Sequence, residues 1–350
     1  MSPGPEFYPT SAFDYELPDD RIARYPAERR DESRLLVLHR EAGTIEHRVF
    51  RDIAAFIPPG DALVLNETRV FPARLIGRRA SGAEAEVLLL HPHGASERDW
   101  TALVRPGAKL KPGRFVEVAD DLRIEILEVL EEGVRVVRLH SPFEVEAAIA
   151  KYGRIPLPPY IDREAETGDV ERYQTVYARE QGSVAAPTAG LHFTPSLLER
   201  IESNGVKIVR VVLHVGVGTF RPVDVEDPDQ HVMHAEHYTV SEGAARELNE
   251  VRARGGDIWA VGTTVVRTLE TVTDDKGIVH GGSGWTRIFI RPPYRFKGVD
   301  RLITNFHLPR STLLMLVSAF GGYDHVMAAY RKAVEDDYRF YSYGDAMVIL

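Results

Sequence analysis

Hydrophobic positions along the chain fall into two textures. Leu35–Leu38, Ala62–Leu65, Lys207–Val215, Asp257–Val261, Arg301–Asn305 and Ala346–Leu350 are short, mostly apolar runs, the pattern of strands covered on both faces. Helical spacing lies between several of them. In 194–205, Thr194 is a cap, Pro195 suits the first helical position, Leu197, Leu198 and Ile201 form an apolar stripe, and Gly205 ends the helix. Similar punctuation predicts helices over 143–152, 241–256, 262–272, 309–320 and 323–338.

After about residue 70 the texture changes. ARLIGRR, AEVLLLHP, DWTALVRP, GRFVEVA, LRIEILEVL and VRVVRLH follow at close intervals, separated by turn-forming residues. Several alternate apolar with polar, as in Arg123-Ile124-Glu125-Ile126, which reads as a small antiparallel sheet or barrel. No helix is predicted between 72 and 140. The expected fold class is α/β, with residues 1–68 and 152–350 as a discontinuous α/β domain and residues 69–151 as an inserted antiparallel β-barrel. Residues 161–182 read as a polar loop or short helices.

Composition narrows the chemistry. The 350 residues include no cysteine, which excludes disulfides, thiolate metal sites and thiol nucleophiles. No apolar stretch reaches the ~18 residues of a membrane span, and no signal peptide is visible near the start. A cytoplasmic protein is the expectation. The net charge of −9 argues against indiscriminate nucleic-acid binding and leaves room for local basic faces.

Ligands of open α/β sheets bind beyond the carboxyl ends of strands. Three predicted strand ends carry polar residues: His214, Gly216 and Gly218; Gly262, Thr263 and Thr264; and Asn305 and His307, ahead of Ser311 and Thr312. The last two open helices, whose free amides suit carboxylates or phosphates. The Gly-x-Gly of LHVGVGTFRPV does not complete a dinucleotide fingerprint: Arg221 stands where a third glycine is required, and Pro222 disfavours the helix. Downstream, His231, His234, Glu236 and His237 crowd into seven positions. They suit proton transfer or substrate contact, structural hydrogen bonding or, if the segment were helical, a metal. Thr188 and Gly190 suggest a backbone cradle with His192 and Phe193 beside it, and LNETRVFPARL holds Asn66, Thr68 and Arg69 near the edge of the N-terminal α/β segment. Arg69, Arg74, Arg78 and Arg79 form one basic strip; Arg291, Arg295, Lys297 and Arg301 form another, interleaved with Tyr294 and Phe296.

FDYELPDDRIARYP, LVLNETRVFPARL, AAPTAGLHFT, LHVGVGTFRPV, HVMHAEHY, GTTVVRTLE, TNFHLPRSTLLMLVSAF and YGDAMVIL together resemble the S-adenosylmethionine:tRNA ribosyltransferase-isomerase family of the queuosine pathway, in family order across nearly the whole chain. The resemblance implies an α/β domain with an inserted barrel. It implies transfer and isomerisation of the ribosyl moiety of S-adenosylmethionine onto the aminomethyl group of 7-aminomethyl-7-deazaguanine at the wobble position of a tRNA. The products are epoxyqueuosine-tRNA, adenine and methionine. S-adenosylmethionine is then a consumed substrate, with no metal or further cofactor, and the enzyme is expected to be a monomer. His214, His234 and Glu236 become proton-transfer candidates. Asp14, Asn66, Thr68, Arg69, Thr188, Gly190, His192, Phe193, Gly216, Gly218, Thr263, Thr264, Asn305, His307, Ser311 and Thr312 become substrate contacts. Arg74, Arg78, Arg79, Arg291, Arg295 and Lys297 become tRNA contacts. A metal-dependent hydrolase and a non-catalytic RNA-binding module are the competing readings; methyl transfer lacks its glycine-rich first loop.

Overall fold

The structure, a computed structural model, describes residues 7–216 and 222–350. Strands β1 (Arg34–His39), β2 (Thr44–Val49), β3 (Ala62–Asn66) and β4 (Thr68–Val70) precede the barrel. The barrel is β5 (Arg74–Arg78), β6 (Glu84–Pro92), β7 (Asp99–Arg105), β8 (Phe115–Ala119), β9 (Leu122–Val129) and β10 (Arg135–His140). Helices α1 (Val145–Tyr152) and α2 (Asp169–Arg172), strand β11 (Glu180–Ser183), helix α3 (Pro195–Ser203) and strand β12 (Lys207–Leu213) follow. The rest is β13 (Glu236–Val240), α4 (Glu242–Ala253), β14 (Ile258–Val261), α5 (Thr263–Val272), β15 (Gly282–Thr286), β16 (Arg301–Asn305), α6 (Thr312–Gly321), α7 (Tyr323–Glu335) and β17 (Ala346–Ile349).

Nine strands form one mixed sheet in the order β15-β13-β12-β3-β14-β16-β17-β1-β2. Its centre, β12-β3-β14-β16, is parallel, so the carboxyl ends of these strands share one edge. The apolar runs are explained by cover on both faces. Ala62 and Val64 of β3 enter the core beneath α4–α7, while Leu63 and Leu65 enter the core beneath α3. Ile258 and Ala260 of β14 face the first core, and Trp259 and Val261 the second. The barrel closes antiparallel in the order β10-β7-β6-β5-β8-β9. Its alternating residues behave as patterned: Ile124 and Ile126 are buried inside and Arg123 is exposed. Helix α1 packs Ala148 and Ile149 into the barrel's core.

Helix starts follow local chemistry. Thr194 Oγ1 accepts from Leu197 N at 3.2 Å and Ser241 Oγ from Ala244 N at 3.0 Å. Helix α6 begins at Thr312, later than its pattern suggests, because Ser311 is its cap and Arg310 has a φ of 56°. Strands β2 and β15 carry no apolar run. Both are sheet edges with largely solvent-facing side chains. The polar stretch 161–182 contains α2 and the start of β11, which pairs parallel with β4 in a two-stranded sheet.

Phe193, expected beside a substrate, is fully buried between α3 and the sheet and lines neither cavity described below. It packs edge-on against Phe50 at 4.9 Å between ring centres. Its role is therefore packing. Phe193→Ala is expected to lower unfolding free energy by about 3–5 kcal/mol, read from urea denaturation.

Candidate active site

The shared edge of the parallel strands is built around Asn66, which is fully buried. Its Nδ2 donates to Leu213 O at 2.9 Å and to Thr264 Oγ1 at 3.3 Å. Its Oδ1 accepts from Leu213 N at 3.0 Å and Thr68 N at 3.2 Å. One carboxamide thus joins the ends of β3 and β12 to the start of α5. Asn66 supports the site from behind.

His214 emerges one residue after β12. Its backbone N donates to His237 O at 2.9 Å, and its Nδ1 lies 2.8 Å from Thr68 Oγ1. The Thr68 hydroxyl points at Glu180 O, 3.5 Å away. Thr68 Oγ1 thus anchors the ring by Nδ1. One side of the imidazole rests on Gly182, where a Cβ would stand 2.8 Å from the ring. His237 lies parallel to it at 6.1 Å. Burial, and secondarily the neighbouring His237, hold the His214 pKa below its ordinary value.

A cavity of about 580 Å³ opens between this edge and the barrel, in the size range of nucleoside-like ligands. His214, Gly216, His234 and His237 line its polar side; Phe71, Leu90, Trp100 and Ile149 line its apolar side. His234 Nδ1 meets Glu132 Oε2 from the barrel at 3.1 Å, so the histidine and barrel meet across the cavity. Glu236 departs from its expected place as an open proton carrier. It is buried, paired with Arg267 of α5, and its Oε1 accepts from Gly216 N at 2.9 Å. It fixes the backbone that carries the histidine.

A second cavity, of about 50 Å³, adjoins the start of α5. Thr188, Thr263, Thr264, Asn305, His307 and Ser311 all line it, and Val215 lines both cavities. Gly262 has a φ of 91°, which favours glycine and turns the chain from β14 into α5. Asn305 Nδ2 is committed to His192 Nε2 at 3.0 Å and Tyr341 O at 3.2 Å, while its buried Oδ1 has no hydrogen-bond partner among the described residues. His307 Nε2 lies 2.8 Å from Thr304 Oγ1.

Other expected contacts fall elsewhere. His192 is buried behind the wall, between Asn305 and Ser33 Oγ, the latter 2.7 Å from its Nδ1. Gly190 is needed for packing, since a Cβ there would lie 2.0 Å from the Tyr177 hydroxyl. Asp14 is exposed and accepts from Tyr15 N at 3.0 Å; it lines neither cavity. Thr312 is the first residue of α6, and Arg69 is exposed on β4. Gly218 lies outside the described residues. His231, His234, Glu236 and His237 do not form a helix or converge: no group of three potential ligands able to hold a metal occurs among the described residues. The basic strips are partly neutralised. Arg74 pairs with Glu86 at 2.8 Å, Arg291 with Asp229, and Lys297 with Asp275 at 3.3 Å. Arg78 donates to Gly82 O at 2.9 Å, the buried Arg79 Nε has no hydrogen-bond partner among the described residues, and Arg295 is exposed. Gly182 and Arg267 were not distinguishable in sequence, because nothing local marks a glycine that meets a ring from another strand or an arginine that meets a distant glutamate.

Burial pushes His192 down to about 3, with Arg339 and Arg30 adding to the effect, and burial likewise pushes His307 down to about 3. Unfolded, both bind a proton below about 6.5. Unfolding therefore takes up protons between these values, so the contribution is fully present above pH ~6.5 and is lost as pH falls toward ~3. The urea-unfolding free energy is expected to decline over that window, and His192→Gln to flatten the slope by up to one proton.

The chain matches the queuosine biosynthesis protein family over residues 10–349. It is 57% identical over 343 residues to the S-adenosylmethionine:tRNA ribosyltransferase-isomerase of Symbiobacterium thermophilum, covering 97% of this chain and 99% of the relative. The protein of that name from Thermotoga maritima is 53% identical over 343 residues, with the same coverage. A crystal structure of S-adenosylmethionine tRNA ribosyltransferase from Thermotoga maritima superposes with a TM-score of 0.56 at 43% identity, covering 97% of this chain and all of that one. By these matches the chain belongs to the queuosine biosynthesis protein family.

Proposed function

We propose that the protein is an S-adenosylmethionine:tRNA ribosyltransferase-isomerase. It transfers and isomerises the ribosyl moiety of S-adenosylmethionine onto the aminomethyl group of 7-aminomethyl-7-deazaguanine in tRNA, and releases adenine and methionine. The observation that carries this reading beyond family membership is the pairing of two cavities across Val215. The larger is apolar on the barrel side, as a flat base requires, and carries histidines where the chemistry occurs. The smaller has a helix start for a carboxylate and the unpaired Asn305 Oδ1 for an ammonium. These are the two charged groups of the methionine end.

The reaction sets clear requirements. The sulfonium acidifies the adjacent 5′ carbon, so a base removes a proton there. Adenine leaves more readily when protonated, and the attacking amine is neutral. His214, anchored by Nδ1 to Thr68 and with a pKa held below its ordinary value, suits the base. His234, across the cavity, suits a second transfer, and Glu236 holds the backbone of Gly216. Thr263, Thr264 and the donors near Ser311 and Thr312 hold the anionic end. The arginines at 69–79 and 291–301 contact tRNA phosphates where their present acidic partners release them. The reading invokes no metal or cofactor beyond S-adenosylmethionine as a substrate. It places the enzyme in the cytoplasm as a monomer, with residues 69–151 as an inserted domain. Among the described residues, no helix is long and apolar enough to cross a membrane.

The deciding experiment mixes the protein, S-adenosylmethionine and tRNA bearing 7-aminomethyl-7-deazaguanine. Adenine and methionine are expected in equal amounts; S-adenosylhomocysteine, or no adenine, overturns the reading. His214→Ala and His234→Ala are each expected to cost on the order of 10²-fold or more in turnover. In the wild type, kcat/KM is expected to fall at acid pH with a midpoint below about 6.5, because His214 acts while neutral and its environment disfavours the proton.

A further inference from the structure

Trp285 is used by no step above, although it lines the larger cavity. It is 58% exposed, an unusual position for the largest apolar side chain. It stands on the edge strand β15, directly opposite His237 of β13. His237 meets it at 5.3 Å and His91 of the barrel at 5.9 Å, both steeply inclined to its ring. The indole is thus held from two sides and still open to solvent. Two residues on, just past the end of β15, Arg287 is exposed as well. Unlike Arg74, Arg291 and Lys297, Arg287 has no acidic partner among the described residues.

We propose that Trp285 is the platform on which an unpaired base of the tRNA loop stacks as it enters the cavity, with Arg287 taking the phosphate beside it. This rests on the reading of the protein as a tRNA-modifying enzyme and adds the surface that captures the RNA. An aromatic face beside a free cation is the pairing that single-stranded nucleic acid recognises. The occupant is an RNA base and not the adenine of S-adenosylmethionine. Trp285 lies at the solvent-exposed mouth, whereas the small cavity with groups for the methionine end lies past Val215. Only a base carried on a larger molecule has a phosphate to offer Arg287.

The test uses the full-length protein and an unmodified anticodon stem-loop RNA, with a fully paired RNA of equal charge as control. Binding of the stem-loop is expected to quench tryptophan emission. Trp285→Phe, which keeps an aromatic face, is expected to retain affinity by fluorescence anisotropy and lose most of the quench. Trp285→Ala is expected to weaken stem-loop binding by about 5- to 150-fold, to leave paired-RNA binding within about twofold, and to raise the KM for tRNA while that for S-adenosylmethionine holds. Arg287→Ala is expected to reduce the salt slope of binding by about one. Unchanged stem-loop affinity in Trp285→Ala, equal weakening for paired RNA, or a raised KM for S-adenosylmethionine in place of tRNA would each overturn the proposal. The binding arms need no turnover, so failure of the adenine-release assay and failure of this proposal are separable.

Discussion

The carboxamide of Asn66 is the joint on which the site depends. Parallel strands that end together leave terminal backbone groups without ladder partners, and such groups are costly when buried. Asn66 uses both donors and both acceptor positions to satisfy them. In doing so it sets β12 against β3 and pulls the first turn of α5 onto both. Two sequence intervals then do the rest. Thr68 follows Asn66 by two residues and His214 follows Leu213 by one, which brings the hydroxyl and imidazole within 2.8 Å. The orientation of the candidate base is thus a consequence of strand register.

The histidines divide by environment. His192 is locked between a serine and an asparagine in the interior, where the charged form is disfavoured. It holds the amide of Asn305 in one orientation, and that orientation sends Oδ1 away from it, unpaired. His214 is only half-buried and keeps one nitrogen free. The same residue type is therefore a saturated interior scaffold in one place and a partly solvent-accessible cavity group in another, and solvent access with hydrogen-bond saturation separates the two. Glu236 follows the same logic in reverse. A carboxylate that looked reactive in a histidine-rich stretch is consumed by Arg267 and by the Gly216 amide, which makes it a fixed support for the chain beside His214.

Legibility in the sequence follows from the range of the forces involved. The central strands were readable because burial on both faces forces continuous apolar runs, and the barrel because burial on one face forces alternation. The edge strands β2 and β15 were not, since TIEHRV and GSGWT face water and carry no periodic signal. Strand ends singled out Thr263, Thr264, Asn305 and His307, which the fold gathers around one small cavity. His192 and Phe193 were misplaced because a motif gives the order of residues but not which side of the wall each faces. The aromatic–cation pair Trp285 and Arg287 was passed over for the richer strip at 291–301, where Arg291 and Lys297 are paired with acids.

The inserted barrel supplies what the sheet edge cannot. An edge made of strand ends and helix starts is polar by construction, because its free amides and carbonyls must face the ligand. A flat apolar base needs the opposite surface. Phe71, Leu90, Trp100 and Leu103 provide it, and α1 adds Ile149. The chain leaves the nine-stranded sheet at Asn66, passes through Thr68, the residue that holds His214, and enters the barrel at Arg74, so the apolar wall is tethered a few residues from the sheet edge. Glu132, at the far tip of the barrel between β9 and β10, returns to meet His234. The cavity is therefore closed at one end by covalent continuity and at the other by a pair of ionisable side chains.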